Sequence, residues 1–358
     1  MITKDVARPR AILLTNGFLS QPDAKTAHGL IRGTDRYEIV GVIDNEHAGR
    51  DAGEVLDGVN RNIPVFASVD EAVTKLPPIQ YCIIGVATIG GVLPAHFKPI
   101  LVACIKKGIS IVNGLHEFLS EKQEFVTLAS VNNIALTDIR KPKLKKDLHF
   151  WTGEIFNIKT PVIAVIGMDC AIGKRTTCRM IRQVCEKEGI NAQMIYTGQT
   201  GWLQGGQFGF IFDSTLNDFI SGELEHAILS CNEATKADII LLEGQSALRN
   251  PSGPCGSELL VSGNAKHTIL VVSPKRKYYE DKPEWGELPS VQSEIALITM
   301  YKSTVIAIAL NTEHCSNEEA LAFQKEYTTK LNIPVLLPLQ QGVAPIIPVL
   351  KQILQSAI

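Results

Sequence analysis

The sequence predicts an α/β protein of two parallel-sheet domains, and three observations carry that prediction. Apolar runs of strand length alternate with helix-forming segments from residue 10 onward, the spacing of β-α-β units. Near residues 138–160 the alternation dissolves into a basic, proline-containing stretch, which reads as a domain boundary. Directly after it, residues 161–177 pass from an apolar run through a glycine loop into a helix-forming segment. The expected division is 1–145 for the first domain, 146–160 for a linker and 161–358 for the second domain.

A chain of 358 residues is long enough for separate cores in each domain. Hydrophobic residues make up 45%, charged residues 20%, and the formal net charge is −2, so no global field favours nucleic acid or an anionic membrane. The eight cysteines form no C-x-x-C pair and no Cys/His cluster at zinc-ligand spacing. That pattern points to a reduced, cytoplasmic setting with no metal site. No stretch has signal-peptide or membrane-spanning character. We expect a small-molecule substrate, a homo-oligomer, and no nucleic-acid or membrane partner.

In the first domain, residues 10–17 predict a buried strand ending in a turn, 23–32 a helix, and 37–44 a second strand that ends in Asp44. This layout is Rossmann-like, with an acid where a ribose hydroxyl could be taken, but the G-x-G-x-x-G fingerprint is absent, which favours a cap or turn role for Asp44. Further strands are predicted at 64–66, 81–87 and 109–112, with a helix near 99–107.

The second domain opens on Gly167-Met168-Asp169-Cys170-Ala171-Ile172-Gly173-Lys174-Arg175-Thr176-Thr177, a phosphate loop (P-loop) in form. Glycines let backbone N–H groups close around phosphate oxygens, the next helix adds its N-terminal charge, and Lys174 can reach the same anion. Five residues, not four, separate the glycines, and Arg175 stands where a Mg²⁺-binding hydroxyl follows the lysine in the usual loop. Extra positive charge in that place suits a phosphate that is held and not cleaved.

A helix is predicted over 174–188 with Gly189 as its stop, then a strand over 191–198 and a glycine-rich loop carrying Gln199, Thr200 and Gly201. Asp213 and Ser214 read as the cap of a helix running to about residue 233, with Asp218 and Glu225 along it. The strand over 238–243 ends in Glu243, where a Walker-B-type acid sits, followed by Gln245. The strand over 268–273 releases the basic cluster Lys275-Arg276-Lys277, which could hold carboxylates or phosphates or stay solvated. Strands over 303–311, ending in Asn311, and over 333–338 complete the pattern.

Two resemblances follow from these residues. Gly167-Met-Asp169-Cys-Ala-Ile-Gly173-Lys174, the acidic strand end Glu243-Gly244 and Ala309-Leu310-Asn311 resemble dethiobiotin synthetases. Over nearly the whole chain, residues 169–177, 196–201, Asp213 with 218–222, 243–245 and 309–312 resemble a two-domain P-loop family, sometimes labelled epimerase-like, that includes D-glutamate N-acetyltransferase. Residues 246–251, Ser-Ala-Leu-Arg-Asn-Pro, depart from that family's pattern.

The resemblance implies a Rossmann-like N-terminal domain, a P-loop NTPase-like C-terminal domain, acetyl-CoA as donor and D-amino-acid metabolism. Residues Gly167, Asp169, Cys170, Ala171, Ile172, Gly173, Lys174, Arg175, Thr176, Thr177 and Asn311 are expected to bind the cofactor. Asp169, Asp213, Asp218 and Glu243 are the candidate bases for taking a proton from the incoming ammonium. Gln199, Thr200, Gly201, Gln245, Arg249 and Lys275 are the candidate substrate contacts. ATP with Mg²⁺, in a ligase or kinase of dethiobiotin-synthetase type, is the alternative, and a non-catalytic nucleotide-binding protein is a third.

Overall fold

Every pairing between the named strands is parallel in the computed structural model, which describes residues 7–356. Parallel sheets bury both faces under crossover helices, and the near-continuous apolar runs of the strands follow from that.

Contacts divide the chain into two units. The first comprises the chain up to residue 142 together with Gln199–Gly205. In order it holds β1 (Arg10–Leu14), α1 (Lys25–Arg32), β2 (Glu38–Ile43), α2 (Ala52–Asp57), β3 (Val65–Phe66), α3 (Val69–Lys75), β4 (Tyr81–Ile84), α4 (Lys98–Lys106), β5 (Ser110–Asn113), α5 (Gln123–Val131) and β6 (Leu136–Asp138). The sheet order β3-β2-β1-β4-β5-β6 is that of a Rossmann-type unit. Side chains of β1 alternate between the two faces, Ile12 and Leu14 to one core and Ala11 and Leu13 to the other. Asp44, just past β2, accepts from Thr15 Oγ1, the Gly17 and Leu19 N–H groups and His47 Nδ1, which is the turn-capping role.

The second unit holds β7 (Val162–Gly167), α6 (Lys174–Lys187) and β8 (Ala192–Tyr196), after which α7 (Gln199–Leu203) lies in the first unit. It continues with β9 (Phe208–Gly209), α8 (Asn217–Thr235), β10 (Ile239–Glu243), α9 (Ser257–Val261), β11 (His267–Val272), α10 (Val291–Met300), β12 (Thr304–Leu310), α11 (Asn317–Leu331), β13 (Val335–Leu336) and α12 (Ile347–Ser356). Its sheet runs β13-β12-β11-β7-β10-β8-β9. On β7, Val162, Ala164 and Ile166 face one core while Ile163 and Val165 face the other. This alternation leaves the strand no polar position until it ends at the glycine loop.

Two expectations shift. The helix predicted from Asp213 begins at Asn217, and Asp213 lies in a preceding 3-10 turn, with Leu216 at the N-cap position of that helix. The basic stretch, expected as a linker over 146–160, is anchored instead on α8 of the second unit, because two buried glutamates there collect its donors. Glu223 takes Lys143 Nζ at 2.5 Å, and the His149 N–H and Nδ1 at 2.9 and 2.8 Å. Glu225 takes the Thr152 N–H and hydroxyl and the Ile155 N–H. Gly222 lets the strap approach, since a Cβ there would stand 2.1 Å from the His149 carbonyl oxygen. Among the described residues no helix is long and apolar enough to cross a membrane.

Candidate functional site

In the second sheet β7 lies between β10 and β11, so three central strands end side by side. They deliver the glycine loop, Glu243 and the 274–281 segment to one edge, the C-terminal edge where open α/β sheets bind ligands.

The loop closes through Ala171 at φ +54° and Gly173 at φ +95°, left-handed conformations that turn the backbone into the start of α6. Lys174 is buried and its Nζ donates to the Asp169 carbonyl oxygen at 2.5 Å. Burial lowers its ammonium pKa, against the opposing pull of the Cys170 and Asp169 side chains. Lys174 and Arg175 open α6, and Arg179 follows one turn later. Cations at a helix N-terminus oppose the helix dipole. The arrangement gains stability when an anion sits among them.

Asp169 is an organiser of this loop and not a free base. Its Oδ1 accepts from the Cys170 N–H at 2.7 Å and Asn250 Nδ2 at 3.0 Å. Its Oδ2 accepts from Arg276 Nη1 at 2.9 Å and the Glu280 N–H at 2.7 Å. With four donors on a fully buried carboxylate, its acceptor capacity is taken up. Arg276 Nη1 also donates to the Cys170 carbonyl at 2.8 Å, pinning the loop from the β11 side.

Glu243 ends β10, buried, with Oε2 accepting the Thr197 N–H at 3.2 Å and Oε1 lying 3.8 Å from Arg175 Nη1. Burial raises its carboxyl pKa, and Arg175, the Thr197 N–H and Lys174 pull against that rise. Glu243 thus joins burial and a raised pKa to a contact with the first turn of α6.

Beside the loop, Cys170 Sγ lies 3.4 Å from Ser246 Oγ and 3.7 Å from Asn250 Nδ2. Ligating atoms of Asp169, Cys170 and Glu280 fall within 4.8 Å of one another. The set does not fit Mg²⁺, because Asp169 has both oxygens committed to N–H donors and a thiol is a poor ligand for a hard cation. Burial pushes the Cys170 thiol up, outweighing Lys174.

The other predicted residues divide. Gln245 stands over Gly198, where a Cβ would meet its Nε2 at 2.6 Å, at the same strand-end edge. Thr176 and Thr177 lie in the first turn of α6, and Asn311 follows β12, its Oδ1 accepting the Glu313 N–H. Arg249, expected to hold a substrate carboxylate, is engaged internally. Its Nε and Nη2 donate to buried Glu294 Oε2 at 2.8 and 2.5 Å and its Nη1 to Ser293 Oγ. Lys275 pairs with Glu319 at the N-terminus of α11. Gln199, Thr200 and Gly201, expected in an open glycine-rich loop, are buried in α7 within the first unit. There the Thr34 hydroxyl donates to the Leu203 carbonyl at 2.7 Å and Gln204 Nε2 to the Gly29 carbonyl at 2.7 Å. Asp213 and Asp218 are exposed.

Three residues that hold the loop were not singled out by sequence. Arg276 carried a partial signal as the middle of the basic cluster after β11. Asn250 and Glu280 carried none, since nothing local marks a side chain whose partner is 81 residues away or a backbone N–H whose acceptor is 111 away.

The comparisons bear on this geometry. Residues 149–347 match a family described as "Domain of unknown function (DUF1611_C) P-loop domain". Residues 45–142 match its companion, "Domain of unknown function (DUF1611_N) Rossmann-like domain". A protein from Pseudoalteromonas sp named D-glutamate N-acetyltransferase is 30% identical over 271 residues, 74% of this chain and 79% of that protein. One of the same name from Tritonibacter scottomollicae is 26% identical over 278 residues, 76% of this chain and 81% of that protein. A crystal structure of a DUF1611 protein from Anabaena variabilis superposes with a TM-score of 0.87 at 25% identity, covering 97% of this chain and all of that one.

Proposed function

The chain belongs to the two-domain DUF1611 family, and from that premise we propose that it is an acetyl-CoA-dependent N-acetyltransferase acting on an acidic amino acid, D-glutamate foremost. The observation that carries the reading is the name shared by the two curated relatives, matched over about three quarters of the chain. Arg175 in place of the metal-binding hydroxyl supports it, because acyl transfer needs a held phosphate and no metal.

When bound, acetyl-CoA supplies the activated acetyl thioester. The chain's part is to hold the donor's phosphate with loop N–H groups, Lys174 and Arg175. Glu243 takes a proton from the amino group, its raised carboxyl pKa bringing it nearer the operating pH of a general base. Asp169 keeps the loop in shape through Arg276 and takes no proton.

The test is to incubate the protein with acetyl-CoA and a panel of D- and L-amino acids while following free thiol. Thiol release that requires D-glutamate supports the reading. ADP formation from ATP and Mg²⁺ with the same amino acids, and no thiol, overturns it in favour of the ligase.

A further inference from the structure

A cavity adjoins the phosphate loop on the α10 and α11 side. It encloses about 300 Å³ and shares Met168, Asp169 and Ile172 with the loop itself. Its walls include Val272, Leu288, Pro289 and Tyr327. The ionisable groups around it are already paired with one another. Arg276 holds Asp169 at 2.9 Å, Lys277 holds Glu287 at 3.1 Å and Lys330 holds Glu326 at 2.7 Å. The lining therefore offers three cations against three anions and no net charge.

A charge-balanced slot that sets the apolar surfaces of Val272, Leu288, Pro289 and Tyr327 beside the polar side chains of Ser273, Ser290 and Gln292 suits an uncharged flat ring whose edge carries hydrogen-bonding atoms. The volume suits a single heteroaromatic base and excludes nothing smaller. Its continuity with the loop fixes what such a ring would be attached to: a group bearing the phosphate that the loop holds.

We propose that this cavity is the subsite for the purine of the phosphate-bearing ligand, with Leu288 and Tyr327 as its apolar walls. This rests on the reading of the loop as a phosphate site; within the acetyltransferase reading the ring is the adenine of acetyl-CoA. The donor is then held at two adjoining places, phosphate in the loop and base in the slot, and the ionic pairs stay as they are.

The experiment is calorimetric titration of the full-length protein with CoA, ADP and inorganic pyrophosphate, in the wild type and in two variants. Leu288→Trp fills the slot from a loop position and Tyr327→Ala removes its aromatic wall; unchanged far-ultraviolet circular dichroism and a cooperative thermal transition check that each folds. ADP and CoA should weaken by roughly 10-fold or more in both variants, the scale of losing one base contact. Pyrophosphate binding should stay unchanged. Equal affinity of the wild type for pyrophosphate and ADP, or equal loss of the two in Leu288→Trp, overturns the subsite. If CoA binds and its affinity ignores both variants, the subsite fails while the acetyl-CoA reading stands. If ADP behaves as expected and CoA does not bind, the subsite stands and the acetyl-CoA reading fails.

Discussion

Arg276 Nη1 donates to Asp169 Oδ2 at 2.9 Å, joining residues 107 apart in sequence, and the two side chains are 8% and 1% exposed. The pair ties the loop after β7 to the segment after β11, neighbouring strands in the sheet. Arg276 also reaches Glu313 and Asp281, so one guanidinium gathers three chain segments. The phosphate loop is thus shaped from outside as much as by its own glycines.

Arg276→Ala should be strongly destabilising, because it leaves the Asp169 carboxylate buried without its cation. Removing one partner of a buried pair costs about 3–5 kcal/mol, and urea unfolding should show a loss of that order. A change below about 1 kcal/mol, the value of an exposed pair, would mean that the pair does not hold the loop.

Lys174→Ala should weaken binding of the phosphate-bearing ligand by about 1.5–3 kcal/mol, the worth of a charge-assisted contact. Folding should survive. Arg175→Thr should lower acetyl-CoA affinity and gain little Mg²⁺-dependent hydrolysis, since Asp169 in the same loop is committed to N–H donors. Calorimetry on both variants checks this, and undiminished acetyl-CoA binding by Arg175→Thr would assign the loop to another ligand.

Arg249→Ala should act on stability more than on substrate affinity, because Arg249 serves Glu294. Burial raises the Glu294 carboxyl pKa and Arg249 opposes the rise. Without the guanidinium the folded-state pKa climbs further, so the ionised form costs more. The loss of melting temperature should be large near pH 8 and shrink as pH falls through the raised value and the carboxyl takes a proton. A pH-independent loss would count against this account.

Glu223 behaves oppositely. Burial pushes its carboxyl up, but Lys143 and His149 outweigh burial and hold it below the usual value. A depressed folded-state pKa adds stability above the unfolded value, about 4.3 for glutamate, and loses it as pH falls through the folded value. The melting-temperature gap between wild type and Glu223→Gln should therefore be constant near neutrality and close in acid. At neutral pH the variant should also be cut faster by trypsin after Lys143, because the strap over 143–155 loses an anchor.

The sequence by itself determined the two parallel sheets, the strand-loop-helix around Gly167 and Gly173, and the acid at the tip of β10. These are written in neighbouring residues: strand-length apolar runs, glycines where the backbone turns left-handed, and a charged residue where burial ends. Only the tertiary structure decided which charges are free to meet a ligand. Arg249 is taken by Glu294, 45 residues on, Lys275 by Glu319, 44 residues on, and Asp169 by Arg276. Likewise the basic strap, solvated in composition, is held by Glu223 and Glu225 of α8. A side chain's partner across the sheet depends on strand order and register, which no local pattern encodes, and at close range the burial of both members makes that partner decide the residue's chemistry.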